Sequence, residues 1–172
     1  MQFELKKWEL GDAESVAQYA NNINIADFLR NGFPLPYTAA DAVSYIHGYE
    51  SDTPERICRA IAVDGLASGS IGVFVREDVY AKSAEIGYWL GEPFWNKGVM
   101  TSAIRQMCSL AFERLPIVRI YAEPFAHNPG SCRALEKAGF TLEGVLKNSI
   151  FKNNRIYDSC IYALLKESFP FL

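Results

Sequence analysis

Glu85, Lys97, Gly98 and Ser131 are the residues whose types and settings could do chemistry in this chain. The segment Gly91-Glu92-Pro93-Phe94-Trp95-Asn96-Lys97-Gly98-Val99-Met100-Thr101 lies between a strand-like run, Ala84 to Leu90, and a helix-like run, Thr101 to Arg114. The first amides of a helix have no partner inside it, and the positive end of the helix dipole stands behind them. A phosphate fits there: Gly98 allows close backbone approach and Lys97 adds a charge. The same pattern also suits an ordinary turn. Glu85 is an acid amid Ala-Ile-Gly-Tyr-Trp-Leu, and on a strand it points away from the face of Ala84 and Ile86. Such a residue is either solvated at an edge or functional. A second segment, His127-Asn128-Pro129-Gly130-Ser131-Cys132, opens another helix, which Gly139 ends. Cys132 beside Ser131 is read as a small helix residue rather than a nucleophile.

Composition narrows the possibilities. The chain has 172 residues and a net charge of −3, and its pI is about 5.4. One domain over 1–172 with a sizeable core is expected. A nucleic-acid binder would usually carry a basic surplus, so no nucleic-acid partner is expected. No apolar run is long enough to cross a bilayer, so no membrane partner is expected, and the N-terminal residues lack the apolar stretch of a signal peptide. Cys58, Cys108, Cys132 and Cys160 are scattered, and with only His47 and His127 besides they form no metal-ligand pattern. Free thiols of this kind suit a reducing, cytoplasmic setting.

Several elements must position these residues. Phe3 to Leu10 reads as a strand. Asp12 caps a helix toward Asn21, and an irregular helix follows from Asn22 to Arg30. Pro34 and Pro36 make a loop, and Thr38 with Asp41 resembles a capping box opening a helix to Glu50. Arg59–Val63 and Ser68–Arg76 flank Asp64-Gly65 as a hairpin, and Phe140–Phe151 and Ile156–Leu165 pair around Asn153-Asn154. Ile104, Met107, Cys108 and Ala111 form the inner stripe of the helix after Gly98. Val118 to Ala122 is a short buried strand. The order βαα(α)βββαβαββ predicts an α/β fold with a mixed, mostly antiparallel sheet.

Taken together, Trp95-Asn96-Lys97-Gly98 and the later Asn128-x-x-Ser131 with Glu136-Lys137-Ala138-Gly139-Phe140 resemble the GCN5-related N-acetyltransferase (GNAT) family. The nearest branch is that of the ribosomal-protein N-terminal acetyltransferases. The resemblance spans nearly the whole chain. It implies a sheet splayed open between its fourth and fifth strands and flanked by helices, with acetyl-CoA as co-substrate and no metal. It implies transfer of acetyl to a primary amine, a protein N-terminal α-amine in this branch. A polyamine or other small amine, and a non-catalytic acetyl-CoA-binding module, stay open as alternatives. A homodimer is an open expectation.

The resemblance also distributes roles. The pyrophosphate would lie on the amides of Asn96, Lys97, Gly98, Val99, Met100 and Thr101, with Trp95 a further cofactor contact, and the pantetheine arm would pair with main chain at Tyr88, Trp89 and Leu90. Asn128 matches the Asn that bonds this arm; as a bare residue it is also a turn former before Pro129. Met100 stands where Gly or Ala is usual and narrows the room above the helix end. Glu85 matches a Glu that acts on the amine through water. A carboxylate with pKa near ~4 suits an α-amine near ~8 better than a lysine near ~10. Leu135 occupies the place of the usual Tyr acid and cannot donate, so Ser131 is the hydroxyl available to the departing thiolate. Phe33, Tyr37, Tyr157 and Asp158 are the expected acceptor contacts.

Overall fold

The computed structural model describes residues 2–169; residues 1 and 170–172 of the expected domain lie outside them. Seven strands form one sheet in the order β1-β2-β3-β4-β5-β7-β6. They are β1 (Phe3–Lys6), β2 (Arg56–Val63), β3 (Leu66–Val75), β4 (Ser83–Leu90), β5 (Arg119–Ala122), β6 (Thr141–Lys152) and β7 (Arg155–Leu165). The helices are α1 (Ala13–Ala20), α2 (Ile23–Ala26), α3 (Ala39–Tyr49), α4 (Val99–Arg114) and α5 (Pro129–Ala138). The element order is the one the sequence predicts, and the sheet is mixed: only β4 and β5 run parallel.

Local chemistry sets the element ends. Asp64 and Gly65, with φ of 49° and 85°, turn β2 into β3. Asn153 and Asn154, at 52° and 58°, do the same between β6 and β7. Paired left-handed residues match the twist of a two-residue hairpin. The Thr38–Asp41 capping box is present: Thr38 Oγ1 accepts from the Asp41 amide at 3.2 Å, and the Asp41 carboxylate accepts from the Thr38 amide at 2.8 Å.

Three expectations need correction. β1 stops at Lys6 rather than Leu10 because a 3₁₀ turn follows at Leu10–Asp12. Asp12 does not cap α1 through its side chain. Its carboxylate instead accepts from the Glu9 amide at 3.1 Å and pairs with Lys6 at 2.8 Å, satisfying a buried charge. The helix expected over 22–30 shrinks to the four residues of α2, with Asn22 accepting from the Asn24 amide at 2.8 Å.

Two cores fill the faces of the sheet. α4 and α5 cover one, and Ile104, Met107, Cys108 and Ala111 are all fully buried, as the helical stripe predicts. Cutting Ile104 or Met107 to Ala would cost about 2–5 kcal/mol. α1 and α3 cover the other face, around Trp8, Val16, Ala42 and Ile46. Among the described residues no helix is long and apolar enough to cross a membrane.

The feature that positions the site is the parting of β4 from β5. They pair only at Ser83–Arg119, Ala84–Ile120 and Glu85–Tyr121. β4 then runs on to Leu90, while the chain after Ala122 turns toward β7. There the Cys160 amide donates to the Pro124 carbonyl at 2.9 Å, and the Ala126 amide donates to the Asp158 carbonyl at 2.9 Å. The sheet is thus splayed between its fourth and fifth strands.

Candidate active site

The cofactor loop follows β4 directly. Asn96 (φ 60°) and Gly98 (φ 80°) are both left-handed, and Gly98 is the N-cap of α4. No side chain caps this helix. Its first intrahelical bond from outside the cap region is Ser102 amide to Gly98 carbonyl at 3.1 Å. The amides of Val99, Met100 and Thr101 are therefore the orphan donors that a helix start offers to an anion. A Cβ at Gly98 would touch nothing within 4 Å, so glycine is required by its dihedral and not by crowding.

Side chains around the loop build it rather than line it. The Trp95 indole donates to the Leu90 carbonyl at 2.7 Å and pins the loop to the end of β4. Val99 is buried in the main core, and Met100 packs against that core. Met100 is half-buried at the helix start. Lys97 is exposed, with its ammonium 5.9 Å from the centre of the Phe94 ring. Beyond Glu85, the edge of β4 that faced β5 has no strand partner among the described residues through Tyr88, Trp89 and Leu90. An extended arm could add to such an edge as a strand does. The uncapped helix start and the open strand edge together fit acetyl-CoA.

Tyr88 and Ser131 meet at this gap. Their hydroxyl oxygens are 2.8 Å apart, and either can donate. Burial raises the Tyr88 phenol well above its usual range. Asn128 is the N-cap of α5 and accepts from the Ser131 amide at 3.2 Å. Its carbonyl oxygen is therefore engaged as a turn former, and its amide group remains the part that can reach an arm.

Glu85 stands at the last paired position of β4 and β5, where the sheet opens. Arg30 donates to Oε1 of its carboxylate, and Arg76 lies 3.9 Å from Oε2. The Glu85 side chain is 16% exposed, against 75% for Arg30 and 51% for Arg76. On the same face of β4, Trp89 meets the Phe33 ring edge-on at 5.9 Å. Tyr121, opposite Glu85, has its phenol raised by burial and by the Glu85 charge.

The other expected acceptor residues separate. Tyr37 is 7% exposed and sits in the core under α1 and α3; burial raises its phenol to about 12. The structure places it in the core, against the Phe33 ring. Phe33 is half-buried between Tyr37 and Trp89. Asp158 accepts from Lys147 at 2.9 Å and from the Asn148 amide at 2.8 Å, which holds the irregular turn of β6. Lys147 holds the Asp158 carboxyl below its usual range. Tyr157 stacks on His127 with centroids 4.3 Å apart.

Sequence reading missed three contributors. Arg30 looked like the end of a helix, and nothing local announces its contact with a residue 55 positions away. His127, weighed in the sequence only as a metal ligand, joins Phe28 and Tyr157 at a cavity of about 300 Å³ that Asp27 also lines. Lys152, at the end of β6, donates to the Ala26 and Leu29 carbonyls, closing the exposed end of α2; burial lowers its ammonium below the usual range. No local signal marks Lys152, because a lysine before an Asn-Asn turn is ordinarily solvated.

Known proteins agree with this geometry. Residues 2–141 match the acetyltransferase (GNAT) domain family. YdaF of Bacillus subtilis (strain 168), provisionally named a ribosomal N-acetyltransferase, is 35% identical over 103 residues, covering 60% of this chain and 56% of that protein. The ribosomal-protein-serine acetyltransferase of Escherichia coli (strain K12) is 33% identical over 100 residues, 57% of this chain and 56% of its own length. The chain thus spans little more than half of each of these two relatives. The crystal structure of the microcin C7 self-immunity acetyltransferase MccE, in complex with acetyl-CoA and AMP, superposes with a TM-score of 0.82 at 28% identity. That match covers 95% of this chain and 92% of that one. With an uncapped, glycine-led helix start beside a parted β4–β5 pair, the chain belongs to the GNAT family of acetyl-CoA-dependent N-acetyltransferases.

Proposed function

We propose that this protein acetylates the α-amine of a protein N-terminus, by direct attack of the amine on acetyl-CoA in a ternary complex. The observation that carries the reading is Glu85, whose carboxylate stands where β4 and β5 part. Glu85, directly or through a water, takes the proton of the incoming ammonium. At neutral pH roughly a tenth of free α-amines are already neutral, so a carboxylate has little work to do there. A main-chain amide near Leu90 faces the developing oxyanion. Ser131 delivers a proton to the leaving sulfur, and the Tyr88 hydroxyl at 2.8 Å backs it. The two hydroxyls supply together what Leu135, fully buried, cannot.

A second reading, a small-molecule amine acceptor, draws on the cavity at Asp27, Phe28, His127 and Tyr157. Aromatic faces beside a carboxylate favour an organic cation. The four free cysteines support a reducing, cytoplasmic setting. Exposed Val145, Leu146 and Phe151 on the edge strand β6 support a homodimer.

A thiol-release assay tests the function with N-terminal peptides, polyamines and amino sugars as acceptors. Peptide acetylation at the α-amine, located by mass spectrometry, is the expected result. Transfer only to polyamines or amino sugars would replace it with the second reading.

A further inference from the structure

The carboxylate placed to meet the acceptor amine is already occupied. Arg30 donates to one Glu85 oxygen, and Arg76 stands 3.9 Å from the other. An ammonium arriving at Glu85 must take the place of Arg30. The Arg30 side chain is 75% exposed, so its long stem can turn aside without opening the core. Once displaced, its guanidinium is still next to the new ammonium and repels it, unless an anion meets it. Arg76, half exposed, adds to the same repulsion.

The neighbouring charged groups are held by other partners. The adjoining cavity of about 320 Å³ is lined by Arg30, Glu123 and Lys152. Glu123 accepts from the Ser159 hydroxyl at 2.8 Å, and Lys152 is held by two carbonyls. Asp158 is paired with Lys147, and Asp27 accepts from Asn153 at 3.0 Å. Among the described residues Glu85 is the carboxylate ion-paired with Arg30 and Arg76, so a polycation approaching Glu85 competes with two guanidinium groups.

We propose that Arg30, with Arg76 beside it, is the specificity-determining group of the acceptor site: the acceptor is an amine flanked by a carboxylate or phosphate, and Arg30 passes from Glu85 to that anion as the ammonium arrives. Glu85 then pairs with the ammonium and Arg30 with the anion, so the displaced guanidinium is not left bare. A planar guanidinium suits either anion because its paired donors match two oxygens. The acidic group can belong to a peptide, within a residue or two of its N-terminus, or to a free amino acid. This inference rests on Glu85 receiving the amine, as proposed above.

The test measures kcat/KM for three peptides differing only at positions two and three, Ser-Asp-Glu, Ser-Asn-Gln and Ser-Lys-Arg, with free glutamate and spermidine as further acceptors. The acidic peptide should exceed the neutral one by about five- to tenfold, the scale of one partly exposed charge pair. The basic peptide and spermidine should fall below the neutral one. Arg30→Glu should invert the order of acidic and basic peptides, chiefly through KM, whereas Arg30→Lys should keep it. Preference for glutamate over the acidic peptide would identify a small amino acid as the anion's source and still support Arg30. Equal rates for all peptides, or faster transfer to the basic peptide, overturn the role of Arg30 and leave acetyl transfer standing. No transfer to any acceptor, while acetyl-CoA still raises the melting temperature, overturns the reading of Glu85 and the inference with it.

Discussion

The Tyr88 and Ser131 hydroxyls lie 2.8 Å apart across the gap that the parting of β4 and β5 leaves open. Tyr88 comes from the strand edge and Ser131 from the first turn of α5. A serine hydroxyl alone is a weak acid, but one that accepts from a phenol can release its own proton outward and be resupplied. Ser131→Ala should lower kcat by about ten- to a hundredfold, at or below the usual scale for general acid catalysis. Tyr88→Phe should cost less. If the two act as one unit, the double variant should lose little more than Ser131→Ala alone. Single-turnover rates beside melting temperatures check this. A lowered melting point with an unchanged rate would make Ser131 a helix-start residue only.

Glu85→Gln should reduce kcat far more than acetyl-CoA affinity if Glu85, where β4 and β5 part, receives the amine as proposed. The deficit should shrink as pH rises past ~8, where an α-amine deprotonates unaided. A deficit that is the same at pH 7 and pH 9.5 removes Glu85 from handling the proton.

Gly98→Ala should weaken acetyl-CoA binding although space for the new methyl is open. The φ of 80° would be strained for any side chain, at roughly 1–2 kcal/mol. The loop would relax and its amides would lose their alignment. Lys97→Ala, with an exposed side chain, should cost less. Isothermal titration of acetyl-CoA against both variants separates the contributions; wild-type affinity in Gly98→Ala would move the pyrophosphate elsewhere.

Acid should unfold the protein partly through Asp52. Arg59, buried at β2, donates to both Asp52 oxygens at 2.6 and 2.7 Å, and this bond holds the Asp52 carboxyl below its usual range. A carboxyl whose pKa is lowered on folding stabilises the fold above its unfolded value of ~3.9. That contribution is lost as pH falls through the lower folded value. Asp52→Asn should therefore lower the melting temperature at pH 7, by the equivalent of about 2 kcal/mol, because a buried guanidinium loses its partner. The gap from wild type should narrow progressively below about pH 4. A gap independent of pH would assign the loss to packing.

Much of the site could be read from neighbours in the chain, because its parts are local. Gly98 before an amphipathic helix declares a left-handed cap and free amides within a few residues. Asp64-Gly65 and Asn153-Asn154 declare hairpins for the same reason: their backbone angles depend on their own types. Strand alternation set Glu85 opposite the core face of Ala84 and Ile86, and those two are buried as that period requires. Only the tertiary structure decided what those residues meet. The pairing of Arg30 with Glu85 spans 55 positions and that of Tyr88 with Ser131 spans 43. Both depend on where β5 leaves β4, which long-range hydrogen bonds to β7 determine. Asp12 turned to Lys6 instead of capping α1, and Tyr37 went into the core, by the same rule. A short polar or aromatic side chain states what it can bond or bury, while the packing of distant elements selects the partner it receives.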